Sequence, residues 1–193
     1  MSIPNKSALI SILIFVFVML PACSINVKKN NNGEDKNVDI NTPMGGIHVS
    51  NDADVRDTGL AVYPGARLKN KDKDGDEKNA NVDISGFGFG IKVVAVEYES
   101  GDSQGKVIAF YQDQLKKYGK VLECRTSGHV DYSHSGDSHG SQDLHCDGDN
   151  SGDHIELKAG TENNQHIVAI EPNGNASRFT VVYVRTRGKD SSI

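Results

Sequence analysis

The sequence predicts an α+β domain, an antiparallel or mixed sheet with one main helix packed on it. Three observations carry that expectation. Ile91 to Tyr98 places apolar residues on both faces, as a central strand does. Val107, Ile108, Tyr111, Leu115 and Tyr118 recur at helical spacing. After residue 154, three more alternating runs follow, with turn signals between them.

Residues 24–45 are polar, with Lys28-Lys29-Asn30-Asn31-Asn32-Gly33 at their centre. So few apolar side chains would not recover the entropy lost on ordering, so the segment reads as a tether. A flexible chain of this length spans on the order of 25 Å root-mean-square. Val38, Ile40, Ile47 and Val49 have the alternation of a short hairpin around Thr42-Pro43-Met44-Gly45-Gly46. The folded domain is expected over 58–188, with the tether over 23–57 and a disordered tail over 189–193.

Within the domain, Leu60-Ala61-Val62-Tyr63 runs into Pro64-Gly65, a strong turn pair. Asn81-Val82-Asp83-Ile84 alternates as a half-buried strand does. Gly86-Phe87-Gly88-Phe89-Gly90 follows a strand and precedes another, so it lacks the helix that a dinucleotide site needs. It reads as a hairpin connection that offers Phe87 and Phe89 as an exposed contact point. The helix is expected from Ser103 to Tyr118. Asp102 or Ser103 would cap it, and Gly119 would follow its last turn in a left-handed conformation. Ile155, Leu157 and Ala159, then Ile167 to Ile170, then Phe179 to Val184 supply the remaining strands, with a turn at Asn173-Gly174.

Cys124 and Cys146 end two strand-like runs, Lys120–Cys124 and Asp143–Cys146. An even pair suggests a disulfide where a chain is exported, here at the base of a long loop if the two runs pair antiparallel. The stretch from His129 to His154 is rich in ligand-type side chains. It holds His129, His134, His139, His145 and His154, with several Asp between them and no Lys or Arg from 129 to 154. Imidazole and carboxylate suit zinc, nickel or copper, so a weakly bound divalent metal is one reading; a solvated polar loop is the other. Asp72-Lys73-Asp74-Gly75-Asp76-Glu77 begins like a calcium loop. Its sixth and twelfth places hold Glu77 and Asp83 where Gly and a bidentate Glu are needed, so a turn explains it better. Neither a nucleophile elbow nor an HExxH sequence occurs.

The first residues carry a different signal. Asn5 and Lys6 precede an apolar run from Ala8 to Leu20, which ends at Leu20-Pro21-Ala22-Cys23. This 13-residue run is too short to span a bilayer, which takes about 20. The segment resembles the signal peptide of a bacterial lipoprotein precursor. The resemblance implies cleavage after residue 22, attachment of acyl chains to Cys23, and a place in the cell envelope facing the periplasm or exterior. In addition, Tyr63-Pro64-Gly65-Ala66 followed by Phe110-Tyr111, Leu115 and Gly119 is similar to a pattern of small exported bacterial domains. It supports the strand-then-helix order and supplies no activity.

Removing residues 1–22 from the 193 leaves 171, enough for one domain with a core. The formal charge moves from −5 to −6 as Lys6 is lost. No basic stripe is present, which argues against a nucleic-acid partner. The expected function is a membrane-anchored envelope lipoprotein. Its partners would be the membrane, through Cys23, and another envelope protein. A metal-binding protein using the histidine loop and a hydrolase with a non-local site are the alternatives.

Overall fold

The computed structural model describes residues 24–29, 35–69, 79–126, 143–146 and 150–188. Its strands are β1 (Ser24–Lys29), β2 (Asp35–Thr42), β3 (Gly45–Ser50), β4 (Arg67–Leu68), β5 (Ala80–Gly86) and β6 (Phe89–Ser100), then β7 (Leu122–Thr126), β8 (His154–Thr161), β9 (Asn164–Asn173) and β10 (Ala176–Arg187). The helix α1 (Gln104–Leu115) lies between β6 and β7 and continues as a 3-10 turn over Lys116–Tyr118. The ten strands make one sheet in the order β1-β2-β3-β5-β6-β10-β9-β8-β7, with β4 also pairing β6. Each pairing between described strands is antiparallel.

The core lies between α1 and the C-terminal half of the sheet. Register places Tyr98, Phe179, Ile170 and Ile155 in one row across β6, β10, β9 and β8. Val96, Val181, Val168 and Leu157 make the next row, and Val94, Tyr183, His166 and Ala159 the third. Because strand side chains alternate, the three rows share one face. Val107, Tyr111 and Leu115 of α1 are buried against them, together with Val55, Leu60 and Tyr63 from the segment before β4. The helical stripe read from the sequence is thus the packed one.

Several local expectations are corrected. Leu60 and Tyr63 drop into the core from an irregular segment. Pro64-Gly65 does make the turn, closed by Ala66 N–H donating to the Tyr63 carbonyl at 3.0 Å, with Gly65 at φ 79°. Pro pre-sets the first central position and glycine takes the positive φ of the second. Ser103 has the backbone of a helix N-cap, but neither its side chain nor that of Asp102 makes the capping bond. Asp102 instead accepts from Lys106 Nζ at 2.6 Å and from the Tyr63 hydroxyl at 2.9 Å, and these bonds hold its carboxyl below the usual carboxylate range. Gly119 ends the 3-10 turn at φ 129°, ψ −158°, outside the left-handed helical well.

The segment 23–57, read as a tether, contributes β1, β2 and β3 to the sheet. The hairpin expected around Thr42–Gly46 is present, with Val38 opposite Val49 and Ile40 opposite Ile47. β1 then adds Ile25 opposite Ile40 and Val27 opposite Val38. These strands carry apolar side chains on one face only, the face away from α1. Register makes Ile25, Ile40, Ile47, Ile84 and Ile91 one row, and Val27, Val38, Val49, Val82, Val93 and Val184 another. β-branched side chains pack well on a pleated surface, and neighbours in each row shield one another.

A buried histidine gives the core a pH dependence. His166 stacks on Tyr118 with ring centroids 3.5 Å apart, and its Nδ1 lies 2.8 Å from the Thr58 carbonyl. A carbonyl can only accept, so Nδ1 carries the proton. Burial pushes the His166 pKa below its ordinary value, as the outweighing cause. The unfolded chain therefore binds a proton first as pH falls through about 6.5, and stability drops until the lower folded value is reached. Urea midpoints measured from about pH 7 to pH 5 are expected to fall in the native chain and to fall less in His166→Phe. Equal slopes in the two would show that His166 does not govern the effect.

Candidate functional site

The expected disulfide is formed, joining Cys124 on β7 to Cys146 with Cα atoms 5.4 Å apart. It does not join two paired strands. Residues 143–146 are irregular, and β7 pairs β8 instead, with Cys124 opposite Glu156. Leu144 is the one large apolar residue in that run, too little to hold it in a sheet.

Of the five candidate metal ligands, His129, His134 and His139 lie outside the described residues, as does Cys23. His145 sits beside the disulfide in sequence. His154 opens β8, 3.7 Å from Asp153 and 3.8 Å from Glu171. Both separations exceed hydrogen-bond length. Among the described residues, no three His, Cys, Asp or Glu side chains are grouped to hold a metal. The calcium-like residues 72–77 also lie outside the described residues, and Asp83 faces His48 and Lys92 across β3 and β6.

A charged cluster lies on the sheet face away from α1. Lys69 Nζ is 3.4 Å from Glu97 and 3.5 Å from Glu99, and Arg178 Nε is 3.4 Å from Glu97. The Glu97 side chain is only 12% exposed, so two cations offset the cost of burying its charge. Paired in this way, the carboxylates and cations offset one another on this face.

A different kind of site lies at one end of the sheet, where three features meet. The β5–β6 turn has Phe87 at φ 52° and Gly88 at φ 82°, both positive as a type I′ turn requires. The β2–β3 turn beside it presents Met44, and Phe87 N–H donates to the Met44 carbonyl at 3.3 Å. The two hairpins approach closely through glycine: a Cβ on Gly45 would stand 2.0 Å from the Ser85 carbonyl oxygen. Ser24, the first residue of β1, pairs with Asn41 in the same end row, which continues through Gly46, Ser85 and Gly90 to Arg187.

Large apolar side chains are exposed here. Phe87 is 75% exposed, Ile25 67%, Met44 60% and Phe89 49%. Phe89 and Ile25 extend the isoleucine row to the end of the sheet, since alternate residues of a strand share a face. On the other face of the same end, Lys92 stands opposite Arg185, and Arg187 follows two residues later. With Phe89 and Tyr183, the three cations line a groove of about 360 Å³. Asp83, opposite Lys92, is the one acidic side chain lining that groove. Among the described residues, Lys92, Arg185 and Arg187 make no ion pair.

The sequence pointed to Phe87 and Phe89 through the alternating glycines, and both are exposed as expected. It did not point to Met44, Ile25 or the cations. Met44 carried a usable signal, an apolar residue next to proline inside a two-residue turn. The cations carried none, because only the register of β10 on β6 brings them together.

Compared with models of known families, with curated proteins and with solved structures, the chain matches none.

Proposed function

We propose that the protein is a lipid-anchored component of a cell envelope, attached through acyl chains on Cys23, with the sheet domain as a non-enzymatic contact module. The observation that carries this reading is the apolar run Ala8–Leu20 ending at Leu20-Pro21-Ala22-Cys23. Acylation at that sulfur supplies attachment directly: each buried CH2 contributes about 0.8 kcal/mol, and two chains anchor stably where one is marginal. The disulfide of Cys124 and Cys146 supports the reading, since it suits an oxidising compartment outside the cytoplasm. Among the described residues, no helix is long and apolar enough to cross a membrane.

Cells fed a clickable fatty acid are expected to label the native chain and leave Cys23→Ser unlabelled and released from membranes. Equal labelling of both would refute the anchor.

A further inference from the structure

We propose that the end of the sheet formed by the two hairpin tips seats on a lipid bilayer, with Met44, Phe87, Phe89 and Ile25 entering the headgroup region and Arg185 and Arg187 facing anionic headgroups. The inference rests on the proposed acyl anchor for its setting, and on separate geometry for its substance.

Phe87 carries the first argument. A type I′ turn favours Asn, Asp or Gly at its first central position, because φ there is positive. A bulky residue in that conformation is a genuine outlier. Phenylalanine at φ 52° and 75% exposed is therefore disfavoured by the backbone and by water together. Neither burial in the core nor the turn accounts for it. An apolar environment outside the protein does, since it removes the solvation part of that cost.

Exposed apolar side chains also converge at this end. The described chain has eight large apolar side chains exposed, and five of them belong to this end: Ile25, Met44, Ile47, Phe87 and Phe89. They come from three separate segments of chain, brought together only by the register of β1, β2, β3, β5 and β6. Contiguous apolar surface of this kind marks an interaction site. The most exposed groups are at turns and an edge strand rather than at the centre of a face. Protruding tips suit insertion into a fluid surface, whereas a protein partner would be expected to cover the flatter Ile and Val rows.

Charge completes the case. The chain as a whole is acidic, at −5, yet Lys92, Arg185 and Arg187 stand together beside the apolar tips, with Asp83 offsetting one of them. Cations flanking an apolar insertion patch are attracted to an anionic leaflet and are screened by salt. The placement of Ser24 in the same end row means that acyl chains on its neighbour Cys23 would enter the membrane where the tips do.

The chain has no tryptophan, so Phe87→Trp introduces a single reporter. The full variant, purified from membranes in detergent, would be reconstituted with vesicles of phosphatidylglycerol and phosphatidylethanolamine, with and without brominated acyl chains. The expected result is blue-shifted emission and at least twofold quenching by the brominated lipid. Val62→Trp, at an exposed position before β4, should show neither. Arg185→Gln with Arg187→Gln should weaken the partition of the tips onto anionic vesicles by about fivefold per cation. Emission at the wavelength of a water-exposed indole, without quenching, would overturn the proposal. A blue shift without bromine quenching would also overturn it, because a second copy of the chain would then be covering the tips. The acyl mass on Cys23, read from the same sample, reports on the anchor independently. Acylated protein with an unquenched reporter sinks only the docking, whereas unacylated protein with a quenched reporter sinks only the anchor.

Discussion

Phe179→Ala is expected to destabilise the domain by about 3–5 kcal/mol, the range for deleting a buried aromatic ring. Phe179 is 1% exposed and sits among Tyr98, Tyr111 and Tyr63, at centroid distances of 5.6, 5.4 and 6.3 Å. It links the two layers of the core, since β10 carries it while Tyr111 belongs to α1. Its neighbours cannot close the cavity easily. Tyr111 is held where its hydroxyl accepts from Tyr63 N–H at 3.2 Å, and the Tyr63 hydroxyl is tied to Asp102 at 2.9 Å. Burial also pushes the Tyr111 hydroxyl pKa well above its ordinary value, so the ring stays neutral and apolar in the core. Thermal unfolding should show a midpoint lowered by roughly 10 °C, at about 2–4 °C per kcal/mol for a chain of this size. A shift of under about 2 °C would mean that the aromatic cluster is not the centre of the core.

Replacing both cysteines, Cys124→Ser with Cys146→Ser, is expected to cost about 3 kcal/mol in chain entropy. The bridge closes a separation of 22 residues. No ladder supports Cys146 from its own segment, since 143–146 pairs with no strand. The bridge ties that segment covalently to β7. Chemical denaturation should give a lower midpoint in the double variant and in the reduced native chain alike. If reduction leaves the midpoint unchanged, the bridge does not constrain the unfolded state.

The legible parts of the fold were those with a strong period. Val107, Tyr111 and Leu115 repeat at helical spacing and do bury the helix. Val94, Val96 and Tyr98 on one face, with Ile91, Val93 and Ala95 on the other, mark β6 as central, and it is paired on both sides. The N-terminal strands were harder to read, for a physical reason. Each carries only two apolar residues, Ile25 and Val27 on β1, Val38 and Ile40 on β2, amid asparagine and lysine. Alone, neither strand buries enough surface to be ordered. They gain it from the rows that continue through Ile84 and Val82 of β5, a partner more than 40 residues on in sequence. Local composition cannot report a partner that distant.

The candidate site divides in the same way. Phe87 and Phe89 were readable, because glycines around an aromatic pair mark an exposed turn. Lys92, Arg185 and Arg187 are ordinary isolated cations in the sequence and become a group only across paired strands. Leu60 and Tyr63 are buried from an irregular segment, a packing that the turn pair Pro64-Gly65 marks only at its end.

Intact mass of the protein extracted from its native membranes tests the acyl anchor most directly. The account predicts a chain whose first residue is Cys23, heavier than its sequence by two or three fatty acyl chains. A chain that keeps residue Met1, or one that starts elsewhere without added mass, would contradict it.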